Sequence, residues 1–537
     1  MRAKMEFILP LDEGEWSSLS KKFNSGVDNH LLSSLIGKFR SAGCVSILEE
    51  SPYIDRDFSE AFFHFYSGLF RPLTKYCRRL HFFSDDLSDI LKCTTPGDMV
   101  LKLEKYKNNY LGDIVVRPLP HAPVSSARLS VSQGIQSDTQ KICVKSSHKS
   151  HLLGVEFETS SFPLTQQDTR TGACAQAAIW MAGRHFYSRH SAPWFSLPQI
   201  TAAALNPTDS GITRSLPAGS EYLTADNMVR ALRAMGRHPV TYVPDAIVDG
   251  QRTWSNLKPE EVIARYVDSG IPVILGLCQK DTSIGHAVVA IGVERGLSED
   301  CKTSSLEPTT ADFYTHFLVN DDQRGVYCRL PILEENSTEE YPFVLNRDIK
   351  FILVPLPGKV FLTAEAAEVV ARDTINSLSK NRFDLSQQSL QTGEKWDENP
   401  DFYKEVDNEK IVSRTYLTYG WKYKSRMLRN ASSDNLKRIL LRTQFPKYVW
   451  VTEFSEYATS KNLDPCLRRI QSHVVIDATG SRFWESRLIA HTPGLLYSWQ
   501  YNSDGTTEGC VDAYISSKSY WPKIGGAKDY SACEIDH

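Results

Sequence analysis

The stretch from Lys258 to Tyr327 constrains the fold more than any other part of the chain. It opens as a helix, with Pro259 in the first turn and Gly270 as the stop. Ile271-Pro-Val-Ile-Leu-Gly-Leu then reads as a buried strand, and Gly285-His-Ala-Val-Val-Ala-Ile-Gly-Val as a second that begins at His286. His316-Phe-Leu-Val is a third, ending in Asn320-Asp321-Asp322, and a polar turn through Gly325 leads into another. One helix followed by strands with little between them points to an α+β arrangement.

The same stretch carries chemistry. A histidine at a strand start projects over the end of a neighbouring helix, and a carboxylate at a strand end can hold its tautomer. His286 and Asp321 fill those places, with Asn320 and Asp322 as competitors for the second. The nucleophile candidate lies earlier, in Thr171-Gly-Ala-Cys-Ala-Gln-Ala-Ala-Ile-Trp-Met-Ala-Gly. Polar, turn-forming residues precede Cys174 and strong helix formers follow it, so Cys174 is placed at a helix N-terminus. There the helix dipole favours the thiolate, and free amide groups can donate to an oxyanion. A buried cysteine without a role remains the plainer reading of that segment alone.

Cys174, His286 and Asp321, in that order, resemble the papain-like cysteine peptidase superfamily, most closely the bacterial peptidases that cut after double-glycine leaders. In those proteins a helix begins with the catalytic cysteine, a later helix ends in Gly-x-Pro-Val, a Gly-His strand carries the base, and an Asn-Asp-Pro-x-x-Gly turn follows. This chain has Gly270-Ile-Pro-Val, Gly285-His286 and Asn320-Asp321-Asp322-Gln-Arg-Gly325, and Leu223 to Gly236 suits the intervening helix. The likeness runs from about Gln166 to Gly325. It implies a helix packed on an antiparallel sheet, a catalytic triad acting through an acyl-enzyme, and a protein or peptide substrate. Two positions depart from the pattern. Position 168, where the family places its oxyanion glutamine, is Asp, so that role would pass to Gln167; and Asp322 replaces the usual Pro.

Composition narrows the remaining choices. A chain of 537 residues allows about two to four domains. Its divisions are expected as a helix-rich region over 1–108, a β-rich segment over 109–165, the peptidase domain over 166–356 and an α/β accessory domain over 357–537. With 61 basic and 64 acidic residues, no nucleic-acid partner is implied. The eleven cysteines contain no CxxC pair, which argues against a disulfide framework or zinc ribbon and fits a reducing, cytoplasmic setting. The N-terminus lacks the pattern of a signal peptide, and no apolar run approaches a membrane span. No cofactor and no metal are expected, because no second Cys or His stands at ligand spacing around Cys174, His286 and Asp321. His185 and His190 read as surface or core-edge residues, and Ser125 to Ser137 as a loop. Two other functions stay open: an acyltransferase or deamidase using the same triad, and a non-catalytic adaptor working through its flanks to bind a partner protein.

Overall fold

The computed structural model describes residues 4–10, 12–131, 139–205, 216–219, 221–248, 251–279, 285–296, 307–389, 400–408, 410–430, 434–461, 470–480, 484–501 and 507–513. The chain divides into two units that each draw on separated stretches. Met1–Val243, Pro272–Gly292 and Phe317–Pro355 form the first; Pro244–Ile271, Val293–His316 and Leu356–His537 form the second.

The first unit begins with a five-stranded antiparallel sheet in sequential order: β1 (Lys4–Ile8), β2 (Ser46–Tyr53), β3 (Cys77–Phe83), β4 (Tyr110–Val116) and β5 (Val124–Leu129). Helices α1 (Glu13–Phe23), α2 (His30–Ser41), α3 (Arg56–His64) and α4 (Pro96–Lys105) lie between the strands in sequence. The apolar stripe of α2, from Leu31, Leu32, Leu35 and Ile36 to Phe39, is buried, and Phe39 stacks on Phe82 of β3 at 3.9 Å. Because β3 and β4 are hydrogen-bonded neighbours, the division expected at 108/109 cuts through a sheet; ladder bonds join what composition separated. The first part of the expected Ser125–Ser137 loop, through Leu129, is likewise β5, whose Val124, Ala127 and Leu129 are buried, while 132–138 lie outside the described residues.

Next come β6 (Gln140–Ile142) and an antiparallel hairpin, β7 (Ser146–Leu152) with β8 (Val155–Ser161). Then follow α5 (Cys174–His190), α6 (Leu197–Ala204), α7 (Ala225–Ala234) and β9 (Arg237–Tyr242). The hairpin β10 (Ala246–Val248) with β11 (Gln251–Thr253), and α8 (Pro259–Asp268), belong to the second unit. The chain returns through β12 (Val273–Leu277), β13 (His286–Arg295), β14 (Tyr314–Asp321), β15 (Gly325–Pro331), α9 (Leu345–Asp348) and β16 (Ile349–Pro357). These strands form a seven-stranded sheet in the order β15-β14-β13-β12-β16-β9, with β6 on β13. Gly276 of β12 is required by packing, since a Cβ there would come within 2.1 Å of the Phe351 ring. Ala178, Ile179 and Ala182 of α5 share one core with Ile274, Val289, Ile291 and Leu353 of this sheet.

The second unit continues with α10 (Ala364–Ser389), α11 (Pro400–Asp407) and a six-stranded sheet: β17 (Ile411–Tyr419), β18 (Tyr448–Glu456), β19 (Ser472–Asp477), β20 (Arg487–Thr492), β21 (Leu495–Tyr501) and β22 (Thr507–Ala513). All neighbours in that sheet are antiparallel, so the expected α/β domain is instead α+β. The division expected at 356/357 falls inside β16, and α8, placed by expectation in the peptidase domain, packs within the second unit. Among the described residues, no helix is long and apolar enough to cross a membrane.

Candidate active site

Helix α5 starts at Cys174, with Ala173 as its N-cap. Ala173 has no side chain to occupy the first-turn amides, so that end stays open apart from Gln176. The Gln176 side chain accepts from the Ala173 N–H at 3.1 Å and donates to the Glu221 carbonyl at 2.6 Å, which fixes the first turn against the following segment. The body of α5 is buried from Ala175 to Phe186, making it a central helix rather than a surface one. His185, expected near the surface, is therefore fully buried beside Phe162 and Phe186. Cys174 itself stays partly exposed, and its Sγ lies 3.9 Å from the carbonyl of Gly285, the residue before His286.

Asp168 sets the approach to this helix. Its buried carboxylate accepts five hydrogen bonds: from the backbone of Arg170, Thr171 and Gly172 and from the hydroxyls of Thr171 and Tyr66. Burial opposes its charge, but the nearby Arg117 and these donors hold its pKa below the usual carboxylate value. Asp at this position is thus an anchor for the turn before Cys174, not an oxyanion donor. Asp168→Ala leaves three backbone N–H groups unpaired at roughly 1 kcal/mol or more each, so a loss of about 3 kcal/mol is expected in urea unfolding. Slower alkylation of Cys174 should accompany it.

His286 opens β13 opposite Leu277 of β12 and is 8% exposed. Its Nε2 lies 3.1 Å from Asp321 Oδ1 and 3.9 Å from Asp322 Oδ1. The 3.1 Å contact is an ion-pair distance without the alignment of a hydrogen bond. Phe343 stacks on the imidazole at 5.7 Å and 14°. Asp321 Oδ2 accepts from Tyr341 at 2.9 Å, and Arg324 lies 3.5 Å from the same oxygen. Asn320 is committed elsewhere: its amide donates to the carbonyls of Phe162 and Pro163 and accepts from Tyr327 N–H. Of the three competing side chains, Asp321 is the nearest described to the ring.

Electrostatics follow from this crowding. Burial disfavours the imidazolium, but the close approach of Asp321 and Cys174 and the charges of Asp321 and Asp322 outweigh it, raising the His286 pKa to about 11. Burial also works against the Asp321 charge, and His286, the Gln323 N–H and Arg324 overcome it, holding this carboxyl low. For Asp322 burial wins: its pKa is raised despite His286, and neither carboxyl oxygen has an aligned hydrogen-bond partner among the described residues. The Gln167 backbone N–H faces Asp322, while the Gln167 side chain is half-buried with no hydrogen bond to a described residue. Gln166 is tied to the N–H of Val124. Ligand atoms of His286, Asp321 and Asp322 lie within 4.8 Å of one another, so one cation could span them. Sequence alone gave no sign of the part played by Tyr341 and Phe343, which reach the site from an irregular segment between β15 and β16. Compared with known proteins, the chain matches no family model and no curated protein.

Proposed function

We propose that the first unit is a cysteine-nucleophile hydrolase, a peptidase that cleaves an amide bond in a protein or peptide. The observation that carries the reading is a partly exposed thiol at the first position of a buried helix, sharing one imidazole with a buried carboxylate. With Nε2 facing Asp321, Nδ1 is the ring nitrogen left for the thiol. Cys174 and His286 form a thiolate–imidazolium pair, and the thiolate attacks the carbonyl carbon. First-turn amides of α5, with the Gln167 side chain, stabilise the oxyanion in this reading. His286 then gives its proton to the leaving amine, and the thioester forms. Water, deprotonated by His286, attacks that thioester and restores the thiol. If an amine takes the place of water, the same site becomes a transferase.

The test is iodoacetamide labelling of the full chain across pH, with each cysteine mapped by mass spectrometry. Cys174 is expected to label fastest near neutral pH, and hydrolysis of lysate-derived peptides is expected to vanish in Cys174→Ala. Asp321→Asn should slow labelling about tenfold or more, and Asp322→Asn less, because the closer charge contributes more to the imidazolium. EDTA is included because the ligand atoms of His286, Asp321 and Asp322 lie within 4.8 Å of one another; labelling insensitive to it belongs to the thiol chemistry. Cys174 reacting no faster than buried Cys44, whose thiol burial pushes up to about 12, would sink the reading.

A further inference from the structure

Arg324 and Tyr341, which hold Asp321 Oδ2, also line a cleft of about 520 Å³ in the first unit. His30, Ser34 and Lys38 enter it from one face of α2 at every fourth residue, and Arg324, Arg329 and Tyr341 from the β14–β15 side. We propose that this cleft binds a small polyanion bearing phosphate or carboxylate groups, and that its occupancy tunes Asp321. The regulatory half rests on the thiol–imidazole reading above.

The lining makes the case for the ligand class. Lys38 is half-buried with no ion-pair partner among the described residues. His30 is the first residue of α2, so the positive end of a twelve-residue helix adds to the side-chain charges. Against these stands Glu340 on the rim. The volume falls in the range of small-molecule sites and exceeds the need of a single small ion. Gly325, with φ +126°, lets the turn after Asp322 close onto α2 near Ser34, and the Ser34 hydroxyl donates to the Arg324 carbonyl.

The same lining makes the case for coupling. Arg324 and Tyr341 each face the cleft and the Asp321 Oδ2 atom, at 3.5 and 2.9 Å. An anion in the cleft competes for the Arg324 guanidinium and draws it from Asp321. Asp321 then keeps Tyr341, the Gln323 N–H and His286, and its hold on the imidazole that serves Cys174 strengthens.

The experiment is calorimetric titration of the full chain with inorganic pyrophosphate and, separately, citrate, at constant ionic strength, in wild type and in Lys38→Glu/Arg329→Glu. Saturable one-site binding with Kd below about 1 mM, weakened at least about tenfold in the double variant, is expected for one anion or both. Pyrophosphate alone identifies a phosphate site and citrate alone a carboxylate site. No saturable heat with either, or binding unchanged in the double variant, overturns the site. The bound anion should speed Cys174 labelling at neutral pH about threefold, in wild type only. Binding without that change overturns the coupling. If Cys174 shows no enhanced labelling at all, the hydrolase reading fails, and the titration still decides the cleft.

Discussion

On the hydrolase reading proposed above, replacing His286 with alanine is expected to lower turnover by about a hundred- to ten-thousand-fold, the range lost with a general base. Labelling of Cys174 near neutral pH should slow with it, because the thiolate loses the cation that stabilises it. The two readouts separate the causes: a folding defect would also expose buried Cys44 and Cys77 to reagent, whereas loss of the base leaves them protected. Stability should change in a pH-dependent way. The folded-state pKa of His286 lies near 11, above the unfolded value of about 6.5. The contribution of its partners to folding is therefore complete below about pH 6.5 and is lost as pH rises through the folded value. Wild type and variant should converge in urea midpoint at the alkaline end.

The largest stability effect is expected in the second unit, at Glu368 of α10. Its carboxylate meets Arg265 of α8 at 2.8 Å, accepts from Ser413 and Thr415 of β17, and lies 3.6 Å from Arg372. Burial opposes this charge, but Arg265 and Arg372 with the hydroxyl donors overcome it, and the pKa is lowered to about 2. Glu368→Ala leaves two buried guanidinium groups short of a partner, a loss of about 3–5 kcal/mol. Arg265 retains Glu261, and Arg372 retains the Pro308 carbonyl, which places the effect toward the lower end. Because the folded pKa is depressed, this contribution is present above the unfolded value of about 4.3 and disappears as pH falls toward 2. Hydrogen exchange of α8, α10 and β17 peptides in urea reads the change locally, since two units need not unfold together.

Local pattern was legible where it is set by nearest neighbours. The α2 stripe, the start of α5 at Cys174, the strand at His286 and the turn after Asp321 each follow from a few adjacent residues with strong propensities. Segment 397–408 shows where that logic stops. Read by its charges it is a polar surface stretch, yet α11 turns Phe402, Tyr403 and Val406 inward, and Tyr403 bonds Thr492 and the Pro493 carbonyl. Residues 397–399 lie outside the described part. The unit boundaries failed to show for a related reason: β3 with β4, and α8 with α10, are joined by contacts between residues distant in sequence.

By itself, the sequence determined the order of helices and strands around the candidate site and which chemically capable side chains they carry, because periodicity, caps and side-chain chemistry are properties of the chain. Only the tertiary structure decided which acid faces the imidazole, that Asn320 is occupied by the carbonyls of Phe162 and Pro163, and that Asp168 anchors a turn. Those outcomes depend on distance and desolvation. Adjacent residues such as Asn320, Asp321 and Asp322 point in different directions from one strand end, and burial assigns each a different charge and partner.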